Sequence, residues 1–108
     1  MKYTVWISTP AQKDLEEICR YIAEDCKSPD AAYNLRAKIR KAMFSLDMFP
    51  ERTPVVRFET GKRYGLRKLI VGNYVVFYIV LNSYVWIMRV IHGASNIERI
   101  MNEELNKN

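Results

Sequence analysis

The sequence predicts an α+β domain in two layers, and three observations carry that prediction. Lys2–Ser8 alternates apolar and polar residues with a period of two. Two stretches with helical spacing follow, each opened by a hydroxyl residue and a proline. After residue 65 come three β-rich runs separated by two-residue turn signals. Strands gathered against a helix hairpin make a two-layer α+β architecture. A chain of 108 residues suits one domain, residues 1–108.

In the first strand Tyr3, Val5 and Ile7 share one face, and Lys2, Thr4, Trp6 and Ser8 the other. Thr9-Pro10-Ala11-Gln12 then opens a helix: Thr9 as cap, Pro10 where no N–H is needed, Gln12 completing a capping box. Its apolar stripe is Ala11, Leu15, Ile18, Cys19 and Ile22, with Lys13, Asp14, Glu17 and Glu24 on the outer face. Ser28-Pro29-Asp30 starts a second helix, with Ala32, Leu35, Ile39, Ala42, Met43 and Leu46 inward. Its outer face is basic, with Arg36, Lys38, Arg40 and Lys41. The short link predicts an antiparallel hairpin, closed at Phe49-Pro50.

Residues 51–65 are the least regular, with at most a short strand near Val55 between Pro54 and Gly61. Leu66–Val71, Tyr74–Leu81 and Tyr84–His92 form an antiparallel meander, turning at Gly72-Asn73 and Asn82-Ser83. The middle run is apolar on both faces, which predicts a central strand. A short C-terminal helix from Asn96 to about Leu105 turns Ile97, Ile100, Met101 and Leu105 inward. Only Leu105–Asn108 has the look of a disordered tail.

The composition excludes several classes. Two cysteines seven apart and one histidine make no metal set, and Cys19 on an apolar stripe predicts a buried thiol in a reducing compartment. There is no phosphate-binding glycine loop, nucleophile elbow or His-Glu-x-x-His pair, so no cofactor is expected. The N-terminus has no secretory signal core, and the apolar run Val75–Ile91 is broken by Asn82, Ser83 and Arg89, so no membrane span is expected. A soluble cytoplasmic protein follows.

A net charge of +5 and a pI near 9.3 suit an acidic partner. From Arg36 to Lys68 ten basic residues meet three acidic ones, a local +7 above the whole-chain value. Arg57, Lys62, Arg63, Arg67 and Lys68, with Phe58 and Tyr64 among them, combine phosphate-holding charge with aromatic surface. A solvated helix face and loop account for the same pattern. Arg89 alternates with Val85, Ile87 and Ile91, so it is either paired or turned to a partner. Tyr78 in mid-strand suits a buried phenol bonded to backbone. His92, alternating with Trp86, Met88 and Val90 and next to Gly93, is a strand-end histidine or an acid–base group.

Three stretches together resemble the RelE/ParE superfamily of toxins from type II toxin–antitoxin systems. They are Leu46-Asp47-Met48-Phe49-Pro50, Arg67 to Tyr78, and Arg89-Val90-Ile91-His92-Gly93-Ala94. Two tyrosines four apart in one strand, Tyr74 and Tyr78, precede a strand ending in His-Gly. The resemblance covers nearly the whole chain. It implies a protein antitoxin that wraps the toxin with an extended segment, and a toxin–antitoxin hetero-oligomer. It also implies one of two targets: DNA gyrase, bound without catalysis, or ribosome-bound mRNA, cleaved by Lys and Arg side chains aided by Tyr, His or Glu. A relative that binds only its antitoxin is a third possibility.

In the cleaving reading Arg63, Arg67, Tyr78 and His92 are the catalytic candidates. In either reading Arg57, Lys62, Arg63, Arg67, Lys68 and Arg89 are candidates to touch the target. Many nuclease relatives have an arginine directly after the first strand tyrosine, where this chain has Val75. The Gly-Ala-Arg-Asp that often follows the last strand is Gly93-Ala94-Ser95-Asn96 here. Both departures argue against the nuclease, and the His92-Gly93 ending resembles the ParE side.

Overall fold

The computed structural model describes Lys2 to Lys107. Strand β1 (Thr4–Ile7) leads into helix α1 (Thr9–Arg20), which continues as a π-helical turn over Tyr21–Asp25. Helix α2 (Pro29–Phe44) follows, then 3-10 turns at Ser45–Asp47 and Pro50–Arg52, and a short helix α3 (Glu59–Tyr64). Strands β2 (Arg67–Val71), β3 (Tyr74–Leu81) and β4 (Tyr84–His92) and helix α4 (Ile97–Leu105) complete the chain. The sheet order is β1-β4-β3-β2; β1 runs parallel to β4 and the other pairs are antiparallel.

Strand β3 is central, as its doubly apolar pattern requires. Val76 and Tyr78 pack with Ala11, Leu15, Ile39, Met43, Leu46, Val85 and Ile87 under the α1–α2 hairpin. Val75, Phe77 and Ile79 face the other way, onto Val56, Leu66, Met101 and Leu105. The two-layer body is therefore joined by α3 and α4, which cover part of the reverse face. Each fully buried Leu, Ile or Phe contributes about 1.5–3 kcal/mol, which is what holds these short helices in place.

Several boundaries move by a residue or two. The cap of α1 is Ser8, not Thr9: its hydroxyl accepts from Ala11 N at 3.2 Å, while Gln12 Nε2 donates to Ile7 O at 2.9 Å. The Ser28 hydroxyl turns back to Cys26 O instead of capping α2. Near Val55 there is only an isolated bridge to Arg67, and the segment expected to be irregular contains α3. A helix of six residues leaves too short a periodic pattern to see. The supposed tail begins later, because Leu105 is buried in α4; Asn108 lies outside the described residues.

A bulge changes which faces the last strand presents. Phe77 pairs with Arg89 but Tyr78 with Ile87, so Met88 is the extra residue. Val85, Ile87 and Val90 all reach the main core, while Ile91 joins the reverse one. Simple alternation, which grouped Arg89 with Ile87 and His92 with Met88, fails at this point.

The approach of α3 to its loop requires Gly61: a Cβ there would stand inside van der Waals contact of Val56 Cγ2 and Phe58 Cε2. Gly61→Ala is expected to destabilise the fold by about 1–3 kcal/mol through overpacking, read as a lower denaturant midpoint at unchanged slope.

Candidate functional site

The basic candidates separate into committed and free groups. Arg67 leaves β2 toward the 3-10 turns, where its guanidinium donates to Glu51 O at 3.2 Å and to Thr53 O, with the Glu51 carboxylate at 3.9 Å. Arg52, which the sequence did not single out, donates to Met48 O at 2.9 Å and to Ser45 Oγ at 2.9 Å. Tyr78 is opposite Arg67 across the strands and fully buried. Its hydroxyl donates to Pro50 O at 2.7 Å and shares a 2.5 Å bond with Thr53 Oγ1. Arg52, Arg67 and Tyr78 thus tie down residues 45–53. The bonded buried phenol predicted for Tyr78 is what stands there.

Arg89 is paired. Its Nε and Nη2 grip Asp14 at 2.6 and 2.9 Å, and its Nη1 meets Glu104 at 3.3 Å. Asp14 also accepts from Val90 N at 2.9 Å, satisfying β4 beyond the end of β1. The hydrogen bond that Arg89 donates to Asp14, stronger than the opposing effect of burial, raises the Arg89 pKa above its ordinary value. One cation thus joins α1, β4 and α4, so Arg89 is not an open contact for a target. Asp14, assigned to the outer face of α1, is in fact turned in, with 12% of its side chain exposed. The signal was present: Asp14 is three residues after Ala11 and four before Ile18, on the apolar stripe itself.

His92 ends β4 in an exposed position. Its Nδ1 accepts from Ala94 N at 3.1 Å, and its ring meets Tyr74 edge-on at 5.3 Å. Tyr74 pairs with His92 and Tyr78 with Ile87. The imidazole is therefore about 13 Å along the strand from Tyr78, at about 3.3 Å per residue.

The free cations lie elsewhere. Arg57 and Lys68 line a groove of about 560 Å³ on the reverse face, with Val55, Phe58, Val75, Phe77, Ile97 and Glu98. Exposed Lys62 and Arg63 sit in the last turn of α3, where the helix dipole favours positive charge. Among the described residues none of Arg57, Lys62, Arg63 and Lys68 is in an ion pair. Val75, the departure from the nuclease pattern, is buried beneath this groove and brings no charge to it. The structure thus brings Arg57 and Lys68 together. It puts Arg67 and Tyr78 on the opposite face and His92 at the far strand end.

Among the described residues no group of three His, Cys, Asp or Glu side chains assembles to hold a metal ion. No described helix is long and apolar enough to cross a membrane.

An edge strand beside a three-stranded meander, backed by a helix hairpin, is the arrangement expected for the RelE/ParE superfamily. Residues 5–97 match the family described as the ParE toxin of the type II toxin–antitoxin system, parDE, and the chain belongs to that family. Among solved structures it is similar to one from the chromosomal ParDE toxin–antitoxin system of P. aeruginosa. That likeness has 14% identity and a TM-score of 0.68, covering 84% of this chain and 96% of the other, and it speaks for the fold alone. It is also similar to a chain in the RelBE2 toxin–antitoxin complex of Mycobacterium tuberculosis, with 25% identity, a TM-score of 0.61, and coverage of 85% and 99%. A comparison with curated protein sequences finds no match.

Burial raises the Tyr78 pKa above its ordinary 10.0, outweighing the hydrogen bond from Thr53 and the charges of Arg52 and Arg67. The fold therefore keeps its proton where the unfolded chain loses it. The stability this gives is complete below about pH 10 and falls as pH rises further. Tyr78→Phe is expected to cost about 1–2 kcal/mol at neutral pH by stripping Pro50 O and Thr53 of their partner. It should also flatten part of the alkaline fall in a denaturation series; Tyr74, raised by burial too, keeps the remainder.

Proposed function

We propose that this toxin arrests growth by binding DNA gyrase, in the cytoplasm, and is held inactive by a cognate antitoxin in a hetero-oligomer. The observation that carries the reading is the scatter of the nuclease candidates. A ribonuclease of this type needs cations and a proton-transfer group around one phosphate. Here Tyr78 and Arg67 are committed to a loop on one face. Arg63 is on a helix of the other face, and His92 is bonded into its own turn at a strand end. Valine at position 75 removes a further cation. A binding inhibitor needs only surface, and Arg57, Lys62, Arg63 and Lys68 supply an unpaired basic one. The family match and the likeness to a chain of the RelBE2 toxin–antitoxin complex support the antitoxin partner.

The groove between Arg57 and Lys68 favours one second reading, contact with ribosome-bound mRNA, because free cations beside an apolar floor suit a nucleotide strand. Pulse-labelling of DNA and protein synthesis after induction of this gene alone separates the two. Gyrase binding predicts that DNA synthesis fails first; mRNA cleavage predicts that protein synthesis does. Continued growth would mean a relative that binds antitoxin only. Arg57→Glu with Lys68→Glu is expected to change stability by no more than about 0.5 kcal/mol, since both are exposed and unpaired. The same pair should weaken growth arrest, as scored by colony counts after induction.

A further inference from the structure

The segment Ser45–Thr53 is held far more firmly than a surface connection requires. Arg52 Nη1 donates to the carbonyls of Ser45, Met48 and Phe49 at 3.3, 2.9 and 3.4 Å, and Nη2 to Ser45 Oγ. Arg67 adds bonds to Glu51 O and Thr53 O, and Tyr78 to Pro50 O. Tyr3 N donates to Asp47 O at 2.8 Å. At the centre stands Phe49, with φ +49° and ψ +54°. A bulky residue rarely adopts that left-handed conformation, and the proline after it favours extended backbone instead. Surrounding bonds therefore hold Phe49 in a strained state, as happens where a fold presents a group for use. The group presented is apolar: Phe49 is 74% exposed and Met48 42%, while Pro50 beneath them is buried.

We propose that the Met48–Phe49 knuckle is the apolar anchor by which the toxin engages its target, a folded protein with a pocket for an aromatic ring. The inference rests on the reading of this chain as a binding inhibitor. The chemistry of the knuckle selects the partner. Among the described residues the nearby cations are engaged: Arg52 and Arg67 are committed to carbonyls, and the Asp47 and Glu51 carboxylates face Lys2 and Arg67, each at 3.9 Å. A phosphate backbone has nothing to grip there. A protruding ring on a backbone already held in place suits a preformed pocket. An extended antitoxin segment brings side chains to fill grooves but has no pocket of its own. A second copy is disfavoured by the +5 charge on each chain. A hollow of about 580 Å³ beside the ring, lined by Tyr3, Pro50, Glu51 and Arg52, leaves room for the rim of such a pocket.

Phe49→Gly and Phe49→Asn test this, because both residues accept the left-handed backbone and keep the loop while removing the ring. Four quantities are measured for each variant and the wild type: growth arrest on induction, affinity for purified DNA gyrase, affinity for the cognate antitoxin, and thermal midpoint. The expected result is loss of arrest and roughly tenfold or greater loss of gyrase affinity. Antitoxin affinity should be unchanged and the thermal midpoint equal or higher. Full arrest by both folded variants overturns the proposal. So does a loss confined to antitoxin affinity, or wild-type self-association that the variants abolish. If the wild type arrests growth without binding gyrase, the gyrase reading fails by itself, and relief of arrest in the variants still decides the knuckle. A wild type that neither arrests growth nor binds gyrase overturns both.

Discussion

Strand β3 has no polar face, and the rest of the molecule is arranged around that constraint. Val76 and Tyr78 on one side and Val75, Phe77 and Ile79 on the other must all leave water. The long α1–α2 hairpin covers the first side. The second is left to two short helices, too short to be stable alone. They persist because Leu66, Met101 and Leu105 are buried against the strand. The join between the layers is ionic: Arg89 leaves β4 just after the bulge and holds Asp14 of α1 and Glu104 of α4 together. Half-buried, it is stabilised by having two carboxylates, and either one left alone there would be costly.

The same economy governs the other polar groups. Arg52, Arg67 and Tyr78 look, as residue types, like parts of a phosphate-cleaving site. In the fold they satisfy the carbonyls of a tightly turned loop that no regular ladder reaches. Among the described residues Arg57, Lys62, Arg63 and Lys68, on the reverse side of the sheet or on α3, form no ion pair, and neither do Arg36, Lys38, Arg40 and Lys41 on α2, so the basic segment of the sequence splits into groups with different surroundings. Counting charge along the chain overstated the available surface, because charge does not tell whether a guanidinium faces water or a carbonyl.

The candidate site was legible where the signal was local. The bonded state of Tyr78 followed from its place in an apolar strand, and the strand-end position of His92 from the glycine beside it. Arg89 could be narrowed only to paired or exposed, because its partners are 75 and 15 residues away in sequence. Asp14 carried a readable sign, a carboxylate on an apolar stripe, yet its polarity pulled it to the outer face. Arg52 carried none, since an arginine in an irregular segment looks the same whether it is solvated or holds three carbonyls.

By itself the sequence determined the hairpin turns, the central position of β3 and the order of the elements other than α3. These rest on periodicities and turn preferences that act over a few residues. Only the tertiary structure decided the parallel pairing of β1 with β4, the bulge at Met88, the covering of the reverse face by α3 and α4, and the division of the cations. Each of these depends on which distant backbone groups and side chains come within bonding distance. That is a property of the packed chain, because a hydrogen bond or ion pair is worth forming only where burial has already removed the competing water.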